Sequence, residues 1–142
     1  MNQNLNRFLG FSIFIMLFLV SLTSCTDEEN PFDLTDDRDV FLGTWNVDET
    51  CTRDAYSVSI EKDPSNSSQV IINNFWLIGY QEKPPYAIVA GSSITIPKQA
   101  ICDDGSNLVS GSGTLNKDKI TWSYTVNDGA DLYTCSAVYE KP

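Results

Sequence analysis

Phe41-Leu42-Gly43-Thr44-Trp45-Asn46-Val47-Asp48-Glu49-Thr50-Cys51 is the stretch whose reading decides the fold. Side chains alternate between the two faces of an extended strand. Phe41, Gly43, Trp45 and Val47 therefore share one face, and Thr44, Asn46, Asp48 and Thr50 share the other. An apolar face backed by a polar one marks a half-buried strand. The pattern recurs downstream. Tyr56, Val58 and Ile60 alternate with Ser57, Ser59 and Glu61, and Ile120, Trp122, Tyr124 and Val126 alternate with Thr121, Ser123 and Thr125.

Turn-forming residues punctuate these runs. Asp63-Pro64-Ser65-Asn66, Gly91-Ser92, Asp103-Asp104-Gly105, Asn116-Lys117-Asp118 and Asn127-Asp128-Gly129 each supply residues that favour tight reversals. Further strands are expected over residues 69–75, 86–90, 93–96, 107–115 and 131–139. Pro84-Pro85 interrupts before Tyr86, because proline cannot donate to a sheet ladder. No segment from Phe41 onward repeats apolar residues at helical spacing over two turns. The expected fold is all-β, an eight-stranded up-and-down antiparallel β-barrel. Closure removes the exposed edges of an open meander. Eight strands leave an interior that side chains fill or that holds one small ligand.

The rival is an immunoglobulin-like sandwich, since Tyr133 stands two residues before Cys135 as in a tyrosine corner. Against it, the chain ends at Pro142, and Trp76 lies far from Cys51 for a core tryptophan.

The 142 residues suit one domain and carry 9 Lys+Arg against 19 Asp+Glu, with no histidine. An acidic chain is a poor match for nucleic-acid backbones. Without histidine the usual general base and the commonest metal ligand are missing. Neither Asp48 and Glu49 nor Asp128 and Asp131 are placed in a cleft by the sequence, so a non-enzyme is expected. No cofactor is called for.

Residues 1–24 read as a signal segment: Arg7, an apolar run over residues 8–22, then Leu22-Thr23-Ser24-Cys25. This resembles a bacterial lipoprotein signal. The resemblance implies that Cys25 is the first mature residue and carries lipid, anchoring the protein to a membrane. Residues 25–39 are expected to be an acidic tether. Its Asp27-Glu28-Glu29 cluster resembles the surface-export signal of Bacteroidota lipoproteins, which implies an outer-membrane, cell-surface location. Asp36, Asp37 and Asp39 are read as solvated rather than metal-binding.

Residues 40–142 form the expected domain. Gly43-Thr44-Trp45 resembles the Gly-x-Trp signature of lipocalins. With Ser110-Gly111-Ser112-Gly113-Thr114 and the closing Cys135-Ser136-Ala137-Val138-Tyr139, it is similar to the lipocalin-like (calycin-like) domain of small Bacteroidota lipoproteins. The Thr-Asp-Tyr and terminal Arg elements of typical lipocalins are not evident.

With Cys25 assigned to lipid, Cys51, Cys102 and Cys135 remain, an odd number. First and last strands are neighbours in a closed meander, which favours Cys51–Cys135. Cys51–Cys102 and Cys102–Cys135 are the alternatives.

The candidate ligand-binding residues are aromatic. Trp45, Tyr56, Trp122 and Tyr124 fall on expected inward faces, as walls of an apolar cup or as core. Phe75-Trp76-Leu77-Ile78-Gly79-Tyr80, followed by Pro84-Pro85-Tyr86, places Trp76, Tyr80 and Tyr86 either at the barrel mouth or over its end. The expected function is non-catalytic binding of a small hydrophobic molecule or glycan. The alternative is a protein-interaction module, an accessory subunit of a surface complex or an inhibitor of a basic enzyme.

Overall fold

Each stretch with period-two alternation forms a strand in the computed structural model, which describes residues 35–52 and 54–142. The strands are β1 (Gly43–Glu49), β2 (Tyr56–Lys62), β3 (Gln69–Asn73), β4 (Tyr86–Ala90), β5 (Ser93–Ile101), β6 (Asn107–Asn116), β7 (Lys119–Asn127) and β8 (Leu132–Glu140). They pair in sequence order, antiparallel throughout, and close into a barrel. Closure is made by β1 on β8, in the register Asn46↔Glu140 through Glu49↔Ala137. The up-and-down barrel is thus the observed architecture; the sandwich is not.

The alternation explains the core. Trp45, Val47, Val58, Ile60, Val70, Ile72, Ala87, Val89, Ile94, Ile96, Val109, Ile120, Trp122, Tyr124, Val126, Cys135, Ala137 and Tyr139 point inward and are buried. The interior is therefore filled with side chains over most of its length. Gly111 and Gly113 have the inward parity on β6 and lie opposite Tyr124 and Trp122. They supply the space those rings occupy: a Cβ on Gly113 would stand 2.8 Å from Trp122 Cδ2. The Gly-Ser alternation, weakly specified as a strand by sequence, is a packing device.

One end of the barrel is closed. Asp37–Phe41 forms a 3-10 turn, not the start of a strand, and inserts Phe41 under the core. The Trp45 indole N–H donates to the Phe41 carbonyl at 2.7 Å, and Lys141 Nζ lies 4.1 Å from the centre of the same ring. Asp36 caps the turn and bonds Arg38 and Lys62, while Asp37 accepts from the Gly91 amide at 2.8 Å. Arg38 donates onward to the Asn66 and Gln69 carbonyls. These carboxylates were expected in a solvated tether. Instead residues 36–39 belong to the domain, because each carboxylate meets a cation or an amide of the barrel base. The compact unit runs Thr35–Pro142. The rest of the expected tether, residues 25–34, and the signal segment 1–24 lie outside the described residues.

Two further boundaries differ from the alternation pattern. β3 stops at Asn73 because Asn74, Trp76 and Leu77 adopt positive φ. β5 continues past Ile96 to Ile101 through an irregularity at Pro97 and Lys98. There the Gln99 side chain bonds both the amide and the carbonyl of Tyr86, at 3.1 and 2.8 Å, continuing the β4–β5 seam where the ladder ends.

A disulfide joins Cys51 to Cys135, with Cα atoms 5.5 Å apart. It fastens the chain just beyond β1 to β8, beside the Thr50 amide bond to the Ser136 carbonyl at 3.0 Å. Cys102 is a free thiol. This is the pairing expected from neighbouring first and last strands.

Candidate functional site

The segments that follow β1, β3, β5 and β7 gather at the end opposite Phe41. Glu49 is the last residue of β1 and shares the inward parity of Trp45 and Val47. A carboxylate is thus carried to the interior at this mouth. Tyr124 donates its hydroxyl hydrogen bond to Glu49 Oε2. Glu49 Oε1 is buried and finds no hydrogen-bond partner.

Strand register brings two more phenols to the same place. Val47 pairs with Tyr56 on one side and with Tyr139 on the other. Both hydroxyls are buried, the Tyr56 hydroxyl facing Glu49, and the Tyr139 hydroxyl and the Trp122 indole N–H have no partner. Trp122 and Tyr139 have ring centres 5.7 Å apart. Buried polar atoms in native proteins are nearly always satisfied, so this cluster makes the upper interior the candidate site. The phenols themselves stay neutral. Burial raises the Tyr56 pKa, with the neighbouring Tyr139 and Glu49 adding to it. Burial and then the bond to Glu49 raise that of Tyr124. Tyr139 is raised by complete burial and by Glu49.

The 74–80 segment covers the mouth. The buried Phe75 ring meets Tyr124 edge-on at 4.9 Å. Trp76 is half-buried against Tyr133, with ring centres 5.6 Å apart. Asn74 clamps the segment: its Nδ2 donates to the Ser57 carbonyl at 2.9 Å, and its Oδ1 accepts from the Gly79 amide at 2.8 Å. Asn tolerates the left-handed region because its short side chain bonds locally. Trp76 and Leu77 do not share that advantage, so the cover is held under backbone strain. Beside Glu49 a cleft of about 470 Å³ is lined by Val47, Asp48, Thr50, Thr52, Asp54 and Ala55.

The seven aromatic candidates do not form one site. Tyr56, Trp122 and Tyr124 converge at the Glu49 end of the interior. Trp45 is sealed at the closed base. Trp76 forms part of the cover. Tyr80 is 54% exposed and donates to the Ser57 carbonyl at 3.2 Å. Tyr86 has the parity opposite to the buried Ala87 and Val89, so it stands on the outer wall. Sequence reasoning missed Glu49 and Tyr139 as site residues. The signal was present for both, since Glu49 continues the parity of Trp45 and Val47, and Tyr139 continues that of Cys135 and Ala137. Among the described residues no group of three His, Cys, Asp or Glu side chains is arranged to hold a metal ion.

The fold and this mouth define an eight-stranded closed barrel with a filled interior and a polar, acidic upper end. No protein-family model, curated protein or solved structure matches the chain.

Proposed function

We propose that the protein is a non-catalytic, lipid-anchored lipoprotein of the outer membrane and cell surface, with a lipocalin-like barrel that binds a small amphipathic molecule or a glycan. The observation that carries this reading is the cluster of buried polar atoms at the mouth, on Glu49, Tyr56, Tyr139 and Trp122. Aromatic walls with a few convergent polar groups are the common make-up of a small-ligand site. A filled lower barrel, with Trp45 and Phe41 buried at its base, restricts the ligand to the upper end. The anchor is supported by the Leu22-Thr23-Ser24-Cys25 pattern after an apolar run.

The test is a screen of lipids and glycans by intrinsic tryptophan fluorescence, with mass analysis of the mature N-terminus. A saturable change, lost in Tyr56→Phe or Trp76→Ala with the fold intact, supports binding. Silence across the screen, or a Cys25 without acyl groups, overturns the corresponding half.

A second reading is favoured by the exposed apolar side chains Leu77, Tyr80, Tyr86 and Ile88. On it, the outer surface around the 74–86 loop contacts a protein partner, such as an accessory subunit or a basic enzyme. Strongly salt-dependent capture of a basic protein distinguishes it.

A further inference from the structure

The outer wall of β5–β8 carries a continuous field of hydroxyl groups. The outward positions of β6 are Ser110, Ser112 and Thr114, set opposite Thr125, Ser123 and Thr121 of β7. Thr95 and Ser93 of β5 extend the field beside Ser112 and Thr114. Thr134 and Ser136 of β8 extend it beside Thr125 and Ser123. Neighbouring groups stand about 4.8 Å apart across the strands and about 7 Å apart along them. Ser110 and Thr125 bond each other at 3.2 Å. The remaining hydroxyls are exposed and bond no protein group among the described residues. The field also holds no charge, although charged residues make up 20% of the chain and are the ordinary covering of an exterior. Lys119 and Glu140 pair with each other at its lower margin. Two shallow depressions open on this wall. One, of about 290 Å³, is lined by Thr121, Ser136 and Val138, with Asp48 and Thr50 beyond them. The other, of about 250 Å³, is lined by Ser110, Thr125, Leu108 and Leu132, with Lys98 on the β5 side.

The make-up of this face selects its partner. A protein interface centres on aromatic, Met and Arg side chains and is poor in Ser. A nucleic acid or an anionic lipid surface needs clustered cations, and the field has none. A cationic ligand needs a carboxylate, and none stands within it. An apolar ligand would leave the hydroxyls without partners. A neutral sugar meets none of these objections. Each Ser or Thr hydroxyl has one rotatable donor and two acceptor sites, which matches a sugar hydroxyl in either role, directly or through water. The Thr methyls and the side chains of Val138, Leu108 and Leu132 offer apolar surface to its C–H faces. We propose that the β5–β8 wall is a docking surface for an uncharged polysaccharide chain, seated across the field between the two depressions. The spacing of about 4.8 Å from strand to strand is close to the length of one pyranose unit, so successive units meet equivalent hydroxyls on successive strands. Each contact replaces one with water and is weak, so binding comes from their number. The site lies outside the barrel and does not use the mouth.

The test uses the full chain in a detergent without sugar headgroups. Its electrophoresis through gels containing neutral glucans, mannans, galactans or xylans is compared with gels containing polygalacturonate. The expected result is retardation by at least one neutral polymer and none by the polyanion, with little change between low and high salt. The hexasaccharide of the retarding polymer should bind at least tenfold tighter than its disaccharide and shift the amide resonances of Ser112 and Ser123. The triple variant Thr95→Val, Ser112→Ala, Ser123→Ala should weaken binding at least tenfold. These positions are exposed, so the fold should persist. Ser123→Asp, a single charge at the centre of the field, should weaken it as much and is the second check. Retardation kept by both folded variants overturns the proposal, and its loss in Trp76→Ala instead assigns the glycan to the mouth. No retardation by any neutral polymer, or retardation by polygalacturonate alone, overturns it as well.

Discussion

Gly113 and Trp122 are paired across β6 and β7, and the indole lies where a side chain on residue 113 would be. A methyl group there would meet Trp122 Cδ2 at 2.8 Å and Ile94 Cγ2 at 3.0 Å. Both neighbours are buried, so neither has free space to move into. Gly113→Ala is expected to lower stability by about 1–3 kcal/mol through overpacking. Urea unfolding followed by tryptophan fluorescence checks it. A variant as stable as the parent would mean that the ring can shift at little cost.

The Cys51–Cys135 bridge spans a sequence separation of 84 residues. Closing a loop of that size constrains the unfolded chain, which stabilises by about 2–4 kcal/mol in typical cases. The double variant Cys51→Ala, Cys135→Ala should lose that amount while keeping the strand signature in circular dichroism. Cys102→Ala should change the urea midpoint little, since Cys102 is partly exposed and its sulfur's only partner is Asn107 Nδ2 at 3.2 Å among the described residues. The reverse order of effects would show that the wrong cysteine carries the constraint.

Tyr56, Tyr124 and Tyr139 all have pKa values raised by burial. A raised folded pKa gives stability that is full below the unfolded tyrosine value and is lost as pH rises beyond it. That unfolded value is near 10. The barrel should therefore lose stability progressively above about pH 10. These three phenols should ionise together with unfolding rather than before it. An absorbance titration of tyrosinate, run beside a far-ultraviolet unfolding curve, makes the comparison. Separate ionisation of these phenols in a folded barrel would contradict the burial.

Asp36 behaves in the opposite sense. Its hydrogen bonds with Arg38 and then with Lys62 hold its carboxyl far below the ordinary 3.8. A depressed folded pKa gives stability present above the unfolded value and lost as pH falls below it. The turn at Asp37–Phe41 should loosen below about pH 4, with faster hydrogen exchange at the Gly91 and Arg38 amides. Asp36→Asn should show that faster exchange already at neutral pH. Exchange that does not depend on pH or on this substitution would mean the ion pairs do not hold the base.

Phe75 closes the upper end from inside a strained segment. Phe75→Ala should cost about 3–5 kcal/mol as a large-to-small core change. Tyr80→Ala, at an exposed ring, should stay within about 0.5 kcal/mol. Thermal melts of the two variants give the comparison. Equal losses would place Tyr80 in the core as well.

Local pattern determined the strand order and the inward set, because a period of two leaves one assignment of faces once Trp45 and Val47 are known to be apolar. It also placed Cys51 and Cys135 on neighbouring strands, since a closed meander joins its first strand to its last. Tertiary structure alone decided that Phe41 leaves the strand to plug the base, because the Trp45 N–H needs its carbonyl. It decided that Asp36 and Asp37 are bonded rather than solvated, because Lys62 and the Gly91 amide arrive from elsewhere in the chain. It decided, too, that Glu49 turns an aromatic interior into an acidic one. A strand's alternation tells which way a carboxylate points, but the partners that receive it, Tyr124 across the barrel and the phenols beside Val47, come together only when the sheet closes.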